Sequence, residues 1–152
     1  MYRQGDVLLI PIRGTKKAKG TPVQAEHGRL ILARGEATGH HHSVDARYGA
    51  LTIDEGVTYL TIEELTAPMV EGVFPVLRHQ ERAVILAHPE WGETAFARED
   101  CVAIENGVAR VSGRFAPFQH QEHAAEAVRP GSYQVVRQRE YAGPEHIRAV
   151  AD

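Results

Sequence analysis

A single cysteine, Cys101, occurs among the 152 residues of the chain. One sulfur cannot form an intrachain disulfide, and it excludes zinc sites that need two to four thiolates. The apolar context of this residue in the stretch CVAI indicates a small buried side chain rather than a nucleophile.

Long hydrophobic runs are also missing. The N-terminal apolar run covers only residues 7–12 and is interrupted by Pro11. It is too short for a membrane span or for the core of a secretory signal. We therefore predict a soluble, cytoplasmic protein without a membrane partner.

Neither sign of charge dominates the chain, which has 17 Lys and Arg residues, 20 Asp and Glu residues and a formal net charge of −3. This balance argues against extended binding to nucleic acid or to an anionic membrane.

The motifs GxSxG, GxxxxGK[ST] and GxGxxG are absent. Serine hydrolases, P-loop NTPases and Rossmann dehydrogenases therefore have no motif support.

The composition, with 43% hydrophobic and 24% charged residues, is that of an ordinary globular protein, and the length fits one domain over residues 1–152. Short β-branched segments separated by turn residues predict a mainly β fold, either a small barrel or a sandwich. In residues 57–65, Leu60 and Ile62 belong to the more apolar face, which we expect to face the core. The predicted strands cover residues 5–12, 29–33, 50–53, 57–65, 83–87, 101–104, 108–115 and 132–141.

Turns and helices are fewer. Asn106-Gly107 between two apolar segments predicts a hairpin. Residues 120–128 have the composition of two helical turns, and residues 144–152 are predicted to form a short C-terminal helix that begins with Pro144.

Two segments of the chain, residues 72–90 and 113–131, align without a gap at a constant offset of 41. Both contain the triplet HQE, at residues 79–81 and 120–122. This similarity indicates an internal duplication. His123 in the second segment corresponds to Arg82 in the first. The two segments therefore differ at a position that could carry a metal ligand.

Histidines are concentrated in two short stretches. In a strand, His40 and His42 would share one face and His41 would point away. His120 and His123 would share a face if their segment formed a helical turn. Together these four residues could complete a tetrahedral zinc site or leave one position open, with Glu122 as an oxygen ligand, a hydrogen-bond partner of a ligand or a catalytic general base.

The donor set suits Zn, Fe(II), Mn or Ni better than Cu(I) because it lacks thiolates, and we favour zinc. An iron site with two histidines and one carboxylate would use His40 and His42 with Glu36 or Glu122. Other interpretations remain open: surface or core histidines without a ligand role, or a pH switch made of clustered imidazoles.

Both ends of the chain carry recognisable motifs: RQGDVLLIPI, GEATGHHHSV and HQEHAAEAVRPGSYQVVRQREY. They resemble a family of small uncharacterised prokaryotic and phage-borne proteins with the patterns GDVLL, GExTGHxH and HxEHxxxxxxxGxYxVxxQREY. The likeness covers residues 1–50 and 115–152, which implies an inserted or duplicated segment at residues 66–112. Glu126 stands where the family has an apolar residue. The resemblance implies no activity, but it marks as important His40, His42, His120, Glu122, His123, Tyr133, Gln138, Glu140 and Tyr141.

The leading hypothesis is a metal-binding β protein that is either an enzyme of unknown substrate, hydrolytic or oxygenase-like, or a non-enzyme. The alternative is a phage-associated or prokaryotic assembly module that forms a homo-oligomer. Arg137 and Arg139 share one face of the last predicted strand, where they could bind a phosphate or a partner's carboxylate. An exposed edge strand would also explain these two charges.

Overall fold

The structure is a computed structural model that describes residues 1–13, 20–35, 39–143 and 146–149. The described chain is mainly β, as the sequence predicts, with two short 3-10 helices at Ala46–Tyr48 and Arg98–Asp100. The strands are β1 Tyr2–Gln4, β2 Val7–Pro11, β3 Thr21–Pro22, β4 Arg29–Arg34, β5 His41–Asp45, β6 Gly49–Asp54, β7 Val57–Ile62, β8 Met69–His79, β9 Ala83–His88, β10 Gly92–Ala97, β11 Cys101–Glu105, β12 Val108–Arg114, β13 Ala116–Gln119, β14 Ala125–Val128, β15 Gly131–Arg137, β16 Arg139–Gly143 and β17 His146–Ala149.

The strands form two large sheets. One has six strands in the order β1-β2-β15-β7-β6-β3, and the other has nine in the order β11-β12-β8-β9-β10-β14-β13-β5-β4. Strands β16 and β17 form a separate pair. Neither large sheet closes into a barrel among the described strands, so the architecture is a sandwich.

Two hydrophobic cores stabilise this arrangement. The first lies between the sheets, where Val7, Leu9 and Leu60 of the six-stranded sheet meet Val44 and Phe118 of the other. Leu60 and Ile62 are buried, which confirms the predicted inner face of β7. The second core is formed within the nine-stranded sheet by residues of β8, β9, β10, β12 and β14, including Phe96, together with Phe115 between β12 and β13.

Strand β8 explains how one sheet encloses a core of its own. Its first half, from Met69 to Pro75, pairs with β12, and its last residues pair with β9. A register shift separates Val76 from Arg78. Such irregularities bend a strand and increase its twist, so the two halves of the sheet face each other.

The two segments that align at an offset of 41 form equivalent hairpins. Val76 pairs with Leu86 in the β8–β9 hairpin, and Pro117 pairs with Ala127 in the β13–β14 hairpin. Pro117 and Ala127 follow Val76 and Leu86 by 41 positions each, which is the offset that aligns the two segments. The hairpins flank β10, which is antiparallel to β9 and parallel to β14.

The predictions for helices are wrong in the described residues. Residues 121–123 form a bend and residues 125–128 form β14, because their backbone groups pair with β10 and β13 on either side. Residues 146–149 form β17 rather than a C-terminal helix, and residues 144, 145 and 150–152 lie outside the described part. No described helix has the length and hydrophobicity of a membrane span.

Candidate metal centre

The pairing of β5 with β13 brings the two histidine stretches together. Ser43 lies opposite Gln119 and Val44 lies opposite Phe118 in this antiparallel pair. Antiparallel register then places the next residue of each strand end, His42 and His120, beside one another. Residues almost eighty positions apart in the sequence therefore share one end of the sheet.

All four predicted ligand residues belong to one cluster with His120 at its centre. The ring centroid of His120 lies 4.3 Å from that of His42, 4.6 Å from that of His123 and 5.7 Å from that of His40. The rings of His42 and His123 are 6.1 Å apart. His123 reaches the cluster from a bend rather than from the predicted helical turn.

His42 is the innermost member and is fully buried. Its Nδ1 lies 3.0 Å from Oε1 of Gln4. The amide nitrogen of Gln4 donates hydrogen bonds to the carbonyl oxygens of Phe118 and Ala124, at 2.8 and 2.9 Å. A flipped amide would point its oxygen at both carbonyls, so Oε1 must face His42 and accept a hydrogen bond from Nδ1–H.

This contact directs the other nitrogen of His42 toward Asp6, whose carboxylate is also fully buried. Nε2 lies 3.5 Å from Oδ1 of Asp6, and Nε of Arg137 donates to Oδ2 at 2.5 Å. Burial of a carboxylate is costly unless a cation or hydrogen bonds compensate for it, and Arg137 supplies both. Arg137 therefore binds an internal carboxylate, and its strand β15 lies between β2 and β7 rather than at a sheet edge.

Gln4 and Asp6 were missed by the sequence analysis as site residues. Both lie in the N-terminal motif RQGDVLL, which the family resemblance includes. The available signal was the pair of polar residues next to an apolar strand. Nothing in the local pattern indicates that they face a histidine.

The outer side of the cluster is polar and partly exposed. Nδ1 of His40 lies 3.2 Å from Oε1 of Glu122. The backbone N–H of Glu122 donates to Nδ1 of His120 at 3.0 Å, which leaves Nε2 as the protonated nitrogen of a neutral His120 ring. His41 points to Gln121, whose Oε1 accepts from its backbone N–H at 2.9 Å.

The donor atoms do not converge as they stand. Among the described residues, no group of three His, Cys, Asp or Glu side chains is arranged to hold a metal ion. Nε2 of His123 is buried without a hydrogen-bond partner among them. Glu36 lies outside the described residues.

Other residues marked by the family resemblance have structural contacts. The hydroxyl of Tyr133 donates to the carbonyl of Arg129 at 2.6 Å, and its ring packs against that of Tyr2. Burial raises the pKa of Tyr133 well above its ordinary value and raises that of Tyr2 to about 12. The backbone N–H of Gln138 donates to the carbonyl of Asp6. The side chains of Glu140 and Tyr141 lie outside the described part.

Two open clefts border the cluster. The smaller one, with a volume of about 290 Å³, is lined by residues that include Trp91, His120, Glu122 and His123. The larger one, of about 850 Å³, lies between β1 and the β9–β10 hairpin and also includes His123. A small solute can therefore reach His120 and His123 from outside, whereas His42 lies behind them.

Comparison with known proteins gives a family but no function. Residues 3–98 match a family described as a domain of unknown function, DUF8820. This range contains Gln4, Asp6, His40 and His42, and it ends before His120. Neither the curated proteins nor the solved structures gave a significant match. Because the match covers well over half of the sequence, the chain belongs to the DUF8820 family.

Proposed function

We propose that this protein binds a divalent transition metal, zinc in preference, through His40, His42, His120 and His123. The observation that supports the proposal best is the meeting of four imidazoles from two distant segments around His120. Stacked neutral histidines alone would leave buried nitrogens such as Nε2 of His123 without a partner.

The spacing of the rings suits a coordination sphere. Zinc binds an imidazole nitrogen at about 2.0–2.1 Å, so two rings of a tetrahedral site have centroids about 5 Å apart. Four of the six ring pairs have separations from 4.3 to 6.1 Å, which bracket that value. Convergence of the nitrogens then requires rotation of the rings about their side-chain bonds. His120 must also give up the hydrogen bond from the backbone N–H of Glu122 to its Nδ1 in order to present that nitrogen to a metal.

The surroundings of His42 resemble those of a typical ligand histidine. Ligand histidines usually donate their second N–H to an oxygen acceptor, which fixes the tautomer and the ring orientation. Gln4 provides that acceptor, and Nε2 is left to bind the metal. Two donors on a tetrahedral zinc ion lie about 3.3 Å apart, and Oδ1 of Asp6 lies 3.5 Å from this Nε2. Asp6 is therefore an additional candidate ligand.

Metal analysis of untagged protein, purified without a nickel column and then dialysed against zinc, tests the proposal. We expect about one zinc ion per chain in the wild type, and a loss of binding in His42→Ala and His123→Ala. His27→Asn is the matched control, because His27 is exposed and has a positive φ that asparagine tolerates. Circular dichroism establishes that each variant is folded. Equal zinc content in all four proteins would reject the proposal, as would a wild type that binds none.

Glu122 is the candidate general base of a metal-dependent reaction. Its side chain is about half exposed and lies beside His40, where it can contact a solute. We expect Glu122→Gln to keep the zinc stoichiometry of the wild type, since a base is not a ligand. Loss of zinc in this variant would instead make Glu122 an oxygen ligand.

A second candidate function is assembly into a homo-oligomer, as in a prokaryotic or phage-associated module. The outer face of β8, β11 and β12 supports it, because apolar side chains are exposed there and β11 is an edge strand. Exposed apolar patches of this kind often mark interfaces. The exposed fractions are 54% for Met69, 53% for Val73, 45% for Leu77, 64% for Val102 and 37% for Val108.

Light scattering with a double variant, Val73→Lys/Val102→Lys, tests assembly. We expect a defined oligomer in the wild type and a monomer in this variant. Ile53→Lys is the control, because Ile53 is an exposed apolar residue of the other sheet. A monomeric wild type at high concentration would reject this candidate. Arg137→Glu is unsuitable as a probe because it would place two carboxylates together in the interior.

A further inference from the structure

The larger cleft has an apolar floor for which the fold gives a clear reason. On β9 and β10, Val84, Leu86 and Phe96 face the second core. Alternation along the strands turns their neighbours to the opposite face. These neighbours, Ala83, Ile85, Ala95 and Ala97, line the cleft.

The six-stranded sheet covers only part of this face. Val128 of β14 belongs to the core between the sheets, and two residues earlier Glu126 lines the cleft. Strand β1 is the edge of the six-stranded sheet and contributes Tyr2, Arg3 and Gln4 to one wall. Of the four floor residues, Ile85 and Ala95 are buried, with 1% and 4% of their surface exposed, whereas Ala83 and Ala97 are partly exposed to the cleft.

Glu126 is the only acidic residue among these floor positions. Its register neighbours are Ala95 on β10 and Phe118 on β13. It is partly buried, and no hydrogen bond or ion pair of its carboxyl group is found among the described residues. Burial raises the pKa of Glu126 to about 8, so the group is mostly an uncharged acid at neutral pH. A neutral carboxylic acid can donate a hydrogen bond to an anion.

The walls carry cationic side chains in excess. Arg3 on β1 and Arg82 in the β8–β9 turn line the cleft and make no ion pair with a described residue. The guanidinium group of Arg98 is held against the carbonyl oxygen of Gln80. The residues with titratable or charged groups that line the cleft are Met1 with its amino terminus, Tyr2, Arg3, Glu81, Arg82, Arg98, Glu99, His123 and Glu126.

We propose that this cleft binds a small organic carboxylate, with its apolar part on the alanine floor and its carboxylate between Arg82 and Glu126. Arginine provides paired donors that match a carboxylate. The protonated acid adds a third donor, and the apolar floor gives affinity to a hydrocarbon body that inorganic anions lack. This site does not depend on metal binding at the neighbouring histidines.

Titration of the ¹⁵N-labelled full chain with benzoate tests the proposal by NMR. We expect saturable shifts at Ala95 and Glu126, and none with benzamide, which has the same ring without the charge. Benzylamine tests whether the cleft is a cation site, and inorganic phosphate tests whether it binds anions in general. Binding of either one in place of benzoate would overturn the proposal, and so would the absence of saturation at millimolar benzoate.

Two variants and a control locate the site. Arg82→Gln should weaken benzoate binding about fivefold to tenfold because it removes a charged donor. Arg110→Gln should leave binding unchanged, since Arg110 lies on the exposed face of β12. Equal affinities of both variants would place the carboxylate elsewhere.

Glu126→Gln introduces a side chain of the same size that can donate a hydrogen bond but cannot ionise. Benzoate affinity of the wild type should fall about tenfold between pH 7 and pH 9, as the acid ionises and repels the ligand. The glutamine variant lacks this ionisation and should show a clearly smaller fall over the same range. A parallel fall in both proteins would refute the role of Glu126. Zinc content of these variants, measured separately, should equal that of the wild type.

Discussion

Replacement of Gln4 by methionine is the most informative test of the interior of the histidine cluster. The side chains have similar size, so the change removes three hydrogen bonds with little change in packing. The carbonyl of Phe118 and Nδ1–H of His42 lose their partners in buried positions, and the carbonyl of Ala124 loses one in a partly buried position.

The expected cost follows from these three groups. A buried polar group left without a partner costs about 1–3 kcal/mol. The two groups in buried positions give a decrease in the free energy of unfolding of about 2–6 kcal/mol. For a chain of this length that corresponds to a fall in Tm of roughly 4–24 °C.

Urea and thermal unfolding measure the stability, and ¹⁵N spectra of the imidazole nitrogens report the tautomer of His42. Gln4→Met should lower stability and release His42 from a single tautomer. Gln24→Met is the matched control, because Gln24 is exposed. A loss below about 1 kcal/mol with an unchanged tautomer would refute the reasoning, since the contacts of Gln4 would then contribute little net stability.

Three further predictions concern the fold and its pH dependence. Gly107→Ala should cost about 1–2 kcal/mol in urea unfolding through backbone strain alone, because Gly107 has a φ of 76° and a Cβ there would meet no atom within 4 Å; an unchanged midpoint would contradict the hairpin geometry. Leu60→Ala should cost about 2–5 kcal/mol because Leu60 is fully buried between the sheets, whereas Leu65→Ala, at a position that is 90% exposed, should cost almost nothing. The pKa of Glu126 is raised to about 8 in the folded chain, whereas its ordinary value is 4.5. Between these two pH values the unfolded state has lost the proton and the folded state still holds it. The stability of the wild type relative to Glu126→Gln should therefore fall by about 1.4 kcal/mol per pH unit between pH 4.5 and pH 8 and level off above; a constant difference would show that Glu126 is not desolvated.

Part of the fold could be predicted because local chemistry decides it. Alternation along β7 places Leu60 and Ile62 inside, and the structure agrees. Asn106 and Gly107 both have positive φ, which is the conformation that a tight hairpin turn requires. The 41-residue offset between the two similar segments appears again in the register of their two hairpins.

The helix predicted over residues 120–128 fails for a tertiary reason. Alanine and glutamate favour a helix in isolation. Strands β10 and β13 offer hydrogen-bond partners on both sides of Ala125–Val128, and ladder formation together with burial outweighs the helical preference. Strand β10 is a second case. Its small and polar residues GETAFA give no local strand pattern, and pairing with β9 and β14 makes it a strand.

The sequence by itself determined the β class, the main turns and the histidine pairs, because residue spacing and turn chemistry act over a few positions. Tertiary structure alone decided what surrounds those histidines. Gln4 and Asp6 reach His42 only because β1 and β2 pack across the end of β5, and Glu126 lines a cleft only because the covering sheet ends at β1. Such contacts depend on the pairing and stacking of strands that lie about 40 to more than 100 residues apart in the sequence, which no local pattern encodes.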